Sequence, residues 1–370
     1  MPHDYFDVLY DASALESNDV WAVGQRFVTN SVADPTLALI AHWDGGAWAI
    51  VPGADQHGRG ASLAAVDAVS RDDVWAVGKY ESTSSPQSRE DPLIQHWDGH
   101  AWRVVPVPAI GQDQSPEVPR GLVSLSAASP TDIWALGYYG DNTSGATVSR
   151  DAFIHWDGRS WKLVSSPRYP QTTGISSMED VSAVSANAAW AVGGTLIGFG
   201  EHSGAGSSLL ERWDGRGWSR APSPKVSLPL TRVFALGADD AWAVRGGTVV
   251  SAEGSQPFGP AGVVHWDGHT WTLGLSLPNT DGTFINDIVA NAANDVWIVG
   301  VDGRKPIIRR WNGRRWVTPK GAAPPSDARS VSLGSISRTA QGDLVAFGSD
   351  QDRSRTAQTR FWFGCSRSSL

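Results

Sequence analysis

Asp11, Asp180 and Asp287 each stand ten residues ahead of a tryptophan (Trp21, Trp190 and Trp297), and Arg232 stands the same distance ahead of Trp242. Elsewhere the equivalent place holds Ala65, Ser124 and Ser335, so one recurring position is filled unequally with groups able to do chemistry. Glu179 adjoins Asp180, and Asp67 lies two residues beyond Ala65. Carboxylates gathered around a guanidinium can bind a cation such as calcium, orient a polar ligand, or divide acid and base duties. They can equally hydrogen-bond backbone and solvate a channel. Asp11, Glu179, Asp180, Arg232 and Asp287 are therefore candidate ligand-binding residues, with Asp180 and Asp287 also candidate catalysts. Arg59, Arg120 and Arg329 precede the same kind of segment and could meet an anionic ligand.

The histidines divide in two. His42, His96, His155 and His265 share one slot, taken elsewhere by Arg212, Arg310 or Phe361, and such repetition points to a structural role. His57 and His202 follow no template and complete the list of catalytic candidates. Neither has a neighbour at metal-ligand spacing, so no zinc site and no resident cofactor is expected, an axial cation being the one exception left open.

These residues ride on a repeat. All nineteen tryptophans fall on Asp-Val-Trp-Ala-Val-Gly, about twenty residues, then His-Trp-Asp-Gly-x-x-Trp. The first slot holds Trp21, Trp75, Trp134, Trp190, Trp242 and Trp297, and a decayed last copy holds Val345, Trp362 and Arg367 in its three slots. Each copy reads as four short strands: a segment with alternating apolar residues such as Val66 and Ala68, the Val-Trp-Ala-Val run, a strand ending in His-Trp, and a fourth begun by the third Trp. Asp44-Gly45 and its counterparts are hairpin turns, because glycine tolerates the positive φ that they demand. Asp19, Asp73, Asp132, Asp240 and Asp295, two residues before the first Trp, are expected to accept turn N–H groups. Ala188 replaces them in the fourth copy.

No single copy can bury its own indoles, so the units must stack. The expectation is an all-β, seven-bladed β-propeller of four-stranded antiparallel blades forming one domain over residues 1–370, with repeats near 1–52, 53–106, 107–167, 168–224, 225–278, 279–319 and 320–370. Closure is expected through blade packing, without strand exchange between the ends. The motifs resemble bacterial, largely actinobacterial, propellers with such repeats, similar to kelch, galactose-oxidase-like and Asp-box propellers. That resemblance implies a fold and leaves activity open.

The segments 25–39, 79–93, 107–119, 138–152, 194–208 and 246–262 are long and varied and emerge on one face, whereas the other face has uniform turns. A net charge of -8 argues against nucleic acid, which needs a basic face. Arg304, Lys305, Arg309, Arg310, Arg314, Arg315 and Lys320 form a local basic run, read as a solvated hairpin or an anion patch. Cys365 is the lone cysteine, so no intramolecular disulfide forms. No apolar run is long enough to span a membrane, and no leader is visible. The expectation is a cytoplasmic monomer, with secretion open if a leader has been removed.

The catalytic motifs of several classes are missing. No phosphate-binding loop, nucleophile elbow or nucleotide fingerprint appears, and Cys365 cannot supply the crosslink of a copper-radical oxidase. The primary reading is a propeller that recognises a protein, peptide or glycan through its long-loop face and funnel mouth. The alternative is a lyase, hydrolase or isomerase acting on a small polar substrate at the axial funnel.

Overall fold

The computed structural model describes residues 6–27, 36–54, 59–82, 89–110, 120–141, 148–169, 174–197, 204–224, 228–246, 248–251, 254–257, 259–278, 282–319, 330–351 and 357–363. Blade 1 is the antiparallel sheet Phe6–Glu16, Asp19–Phe27, Thr36–Trp43 and Trp48–Ile50, hydrogen-bonded in chain order. Five further four-stranded sheets follow, with inner strands Arg59–Ser70, Arg120–Ser129, Gly174–Ser185, Leu230–Gly237 and Thr283–Ala292.

Among the described residues six four-stranded blades are formed, not the seven that the repeats lead one to expect. The last repeat gives a three-stranded sheet, Ser330–Arg338, Leu344–Gln351 and Ala357–Phe363, which packs between blade 6 and blade 1. Its sequence carries Arg367 in the third slot, where the other copies have the indole that begins a fourth strand. Residues 364–370 lie outside those described. Among the described residues no strand is exchanged between the ends: Phe6–Glu16 pairs with Asp19–Phe27, and Ala357–Phe363 with Leu344–Gln351.

The indoles mesh blade to blade. Trp21 of blade 1 meets Trp97 of blade 2 at 5.1 Å and Trp102, edge-on, at 5.4 Å. Trp75, Trp134, Trp190 and Trp242 repeat this pair of contacts with the next blade. The first-slot tryptophans are accordingly 0–4% exposed. At the seam Trp43 and Trp48 pack instead against the cluster holding Val345 and Phe347. Burying ~150–250 Å² per ring at ~25 cal/mol/Å² gives each indole an upper bound of roughly 4–6 kcal/mol.

The aspartates before the first Trp do something other than cap turns. Asp19 Oδ1 lies 2.8 Å from His42 Nε2, and the imidazole stacks on Trp21 at 4.2 Å. Asp73–His96, Asp132–His155 and Asp240–His265 repeat the pair, and Asp295 takes Arg310 at 2.8 Å. The ladder sets each histidine directly opposite the first Trp, diagonal to the aspartate two residues before it, so a long-range partner outcompetes the local turn. The Asp-Gly turns form as expected: Asp44 Oδ1 accepts the Gly46 and Ala47 amides at 2.8 Å, with Gly45 at φ 92.

Two further expectations change. The described parts of four of the long face segments are strand, since second strands run on to Phe27, Ser82, Asp141 and Ile197 and pair with third strands beginning at Thr36, Arg89, Val148 and Gly204. Polar composition hid them because outer hairpin arms need no apolar face. The basic run is split, with Arg304 and Lys305 at one end of the strand Lys305–Trp311 and Arg314 and Arg315 in the turn at its other end.

Candidate functional site

An inner strand has a ladder partner on one side only; its other edge faces the axis with N–H groups that need acceptors. Every inner strand also carries a β-bulge at the residue before the ten-residue slot: Tyr10, Ala64, Val123, Glu179, Thr231, Asn286 and Gly334. A bulge inserts one unpaired residue and re-aims the side chains that follow. Here it sets the slot residue against the next blade.

The slot side chains take up the free edge. Asp11 Oδ2 accepts the Val66 amide at 2.9 Å, Ser124 Oγ that of Val181 at 3.1 Å, Asp180 Oδ2 that of Val233 at 2.8 Å, and Asp287 Oδ2 that of Ile336 at 2.8 Å. A second belt lies two residues further along, where Ser13, Asp67, Ser126, Ser182 and Ser337 accept the amides of Ala68, Ala127, Ala183, Ala235 and Ala14. Arg232 cannot accept, and the Ile288 amide turns to its own neighbour, Asp287 Oδ1, at 2.8 Å.

These strands enclose an axial cavity of about 660 Å³. Asp11, Asp67, Glu179, Asp180, Arg232 and Asp287 all line it. Burial pushes Asp11 up to about 7, helped by the charge of Asp287 and opposed by the Val66 amide, Arg232 and Ser335. Burial likewise pushes Asp287 and Asp67 to about 6, and raises Asp180 against the pull of Arg232. For Arg232 burial works against the cation, but Asp180, Asp287, Asp11 and Glu179 together outweigh it. The carboxylate oxygens face N–H donors and a guanidinium, which is poor surroundings for a cation.

The sequence candidates thus separate. Asp11, Glu179, Asp180, Arg232 and Asp287 are brought together at the axis. Arg59 and Arg120 begin the inner strands of blades 2 and 3, with side chains outside the description. His57, His202 and Arg329 lie outside the described residues. Among the described residues no group of three or more His, Cys, Asp or Glu is placed to share a metal ion.

Sequence reasoning passed over Glu211. It is 0% exposed and neither carboxylate oxygen makes a well-formed hydrogen bond, the Tyr169 hydroxyl beside it being the one donor that favours its anion. Burial first, then the Asp151 charge, push Glu211 up to about 8. Asp151 accepts the Met178 amide at 2.8 Å and is itself raised to about 6 by burial. The signal was available: the place two residues before the second Trp holds Ala41, Gln95, Ile154, Glu211 and Val264, another unequally filled slot.

No protein-family model and no curated protein matches the chain. Among solved structures it is similar to YCF48 bound to D1 peptide, at 14% identity and a TM-score of 0.53 over 97% of this chain and 96% of that one. YCF48 from Cyanidioschyzon merolae gives 16%, 0.52 and 95% of both chains. An ulvan lyase of a new polysaccharide-lyase family gives 11% and 0.59 over 95% of this chain and 91% of its own. At these identities the likeness shows a β-propeller fold alone.

Proposed function

We propose that the chain is a recognition module that takes a peptide or glycan at the mouth of the axial channel, on the face where blades connect. The observation that carries this reading is the commitment of the axial carboxylates. A general base needs a lone pair aimed at the substrate, whereas each oxygen of Asp11, Asp180 and Asp287 is already engaged by an amide or serine hydroxyl of its own or a neighbouring strand. They stiffen a channel whose exposed mouth residue Glu179, together with Arg232 below it, is left to meet a ligand. The YCF48 structure bound to a peptide is a propeller precedent for such recognition.

The experiment is a peptide and glycan array probed with the whole chain, followed by variants on any hit. Glu179→Gln should weaken binding at nearly unchanged melting temperature, Arg232→Gln should weaken it with a loss of stability from the carboxylates it leaves uncompensated, and Asp180→Asn with Asp287→Asn should leave binding intact. The enzyme reading, a lyase, hydrolase or isomerase, draws on carboxyls that titrate near neutrality, Asp11 at about 7 and Asp287 at about 6. Turnover of a glycan that the Asp180/Asp287 double variant abolishes would replace the binding reading with that one. The same proposal treats residues 1–370 as one domain acting as a monomer, which light scattering on the eluted protein checks.

A further inference from the structure

Blade 5 breaks the repeat at a place that the axial belts do not use. Three residues after the first slot the other repeats have Gly24, Gly78, Gly137, Gly193, Gly300 and Gly348. A Cβ at Gly24 or Gly78 would overlap the carbonyl oxygen of Val8 or Ser62 in the inner strand, so the repeat demands glycine. Blade 5 has Arg245.

The surroundings are rebuilt to admit it. The inner strand starts only at Leu230, and the Pro229 carbonyl turns to accept the Gly246 amide at 3.1 Å. Across the ladder Arg245 faces Gly262, where the other blades place Leu39, Leu93, Ala152, Leu209 and Ile307. A Cβ on Gly262 would stand 2.7 Å from Arg245 Nε and 3.3 Å from Nη2. Glycine and side chain have changed places, and the room so made is filled by a guanidinium.

Arg245 is only 6% exposed. Its Nη2 donates to Ser276 Oγ at 2.9 Å, and its buried Nε–H has no partner. Among the described residues no carboxylate stands within ion-pair distance, and burial lowers its pKa with no opposing charge. Arginine does not shed its proton in a protein, so the charge stays and its compensation has to come from outside the fold. Arg245 ends the second strand of its blade, directly before a two-stranded hairpin, Thr248–Ser251 and Gly254–Pro257. It does not line the axial cavity.

We propose that Arg245, with Ser276 beside it, anchors an oxyanion-binding subsite on the blade-connection face of blade 5, taking a carboxylate, sulfate or phosphate group of a ligand. The guanidinium fork suits two oxygens of one such group, and the vacant Nε–H is one tine. This subsite stands independently of the axial reading.

The test uses the whole chain with sodium sulfate, sodium phosphate and sodium acetate, each against sodium chloride at constant ionic strength. Arginine Nε–Hε resonances and thermal melting are followed together. Expected is a saturable shift of the Arg245 Nε–Hε signal with a rise in melting temperature; acetate alone would assign a planar carboxylate, sulfate or phosphate a tetrahedral group. R245M, similar in length, should weaken the ion at least about tenfold, as expected for loss of a charge-assisted contact. R245K, keeping charge without the fork, should fall between, and R103Q, at an exposed ion pair with Asp98 on blade 2, should leave the titration unchanged. No saturable shift in the wild-type chain, or an unaltered midpoint in R245M or R245K, would overturn the proposal. The wild-type titration decides even if R245M does not fold.

Discussion

The Ser335 hydroxyl lies 3.1 Å from Asp11 Oδ1, across the seam where the C-terminal sheet meets blade 1. The same hydroxyl lies 2.9 Å from Asp287 Oδ2. It has one proton to give, so both contacts are hydrogen bonds only when one of the two carboxyls is protonated and donates to Ser335 while Ser335 donates to the other. Burial and the Asp287 charge push Asp11 in that direction, to about 7. Ring closure therefore retains a proton that the unfolded chain gives up near pH 3.8.

The first prediction follows from the sign of that shift. Between about pH 4 and 7 the folded state binds more protons than the unfolded one, so stability falls as pH rises through this window. Asp67 and Asp287, at about 6, act in the same direction. Asp11→Asn keeps an acceptor for the Val66 amide and a donor for Ser335 without the ionisation. It should match wild type at pH 4 and melt higher at pH 8, by an amount bounded at about 4 kcal/mol for a three-unit shift. Denaturant melts at both pH values check it, and a variant less stable at pH 8 would refute the seam proton.

The second prediction concerns blade packing. Trp190 is 0% exposed and lies between Trp266 and Trp271 of the next blade at 5.7 and 5.6 Å. Trp190→Ala should cost roughly 3–5 kcal/mol in denaturant unfolding. A loss under about 1 kcal/mol would mean that the cluster relaxes into the space, contrary to a tightly packed interface.

The fold was legible because the tryptophan spacing is a long-range signal written in local sequence: any order of stacking that buries Trp134 and Trp190 puts each against the following blade. The limit was the last repeat, where Val345 still marks a second strand but nothing in the sequence settles whether a fourth one forms. At the site, the unequal slot holding Asp11, Asp180, Arg232 and Asp287 was visible as composition. That these carboxylates serve the open edge of the next blade was not, because the bulges at Tyr10 and Glu179 leave no residue signature. Arg245 was hidden differently, since a glycine exchanged across a ladder is seen only once Gly262 is known to lie opposite.

The third prediction completes a defective repeat. Blade 4 has Ala188 where the others have aspartate, and its Arg212 reaches instead to Asp239 Oδ1 at 3.7 Å, with Nε buried and unpaired. Blade 6 shows the finished arrangement, with Arg310 Nε on Asp295 Oδ1 at 2.8 Å and the guanidinium 5.3 Å over Trp297. Ala188→Asp should recreate that pair beside Trp190 and add about 0.5–1 kcal/mol, less in high salt. Destabilisation in low salt would show that the Asp239 contact holds Arg212 too firmly to turn.

The last prediction isolates Glu211. Its folded pKa of about 8 lies above the ordinary 4.5, so the folded state holds a proton that the unfolded state releases once pH exceeds 4.5. Stability should then decline with rising pH by about 1.4 kcal/mol per unit until pH 8, at most roughly 5 kcal/mol in all, any opening of the blade 3–4 contact reducing the figure. Above pH 8 the anion would stand beside Asp151 with the Tyr169 hydroxyl as its donor and Arg220, 4.6 Å over the Tyr169 ring, as the compensating charge. Glu211→Gln has the same shape and nothing to ionise. It should leave stability unchanged at pH 4 and raise it progressively toward pH 9, and adding Asp151→Asn should bring less than the sum of the two single gains because the charges are coupled. Equal pH dependence in wild type and Glu211→Gln would show that the buried carboxyl is compensated by another group and carries no linked proton.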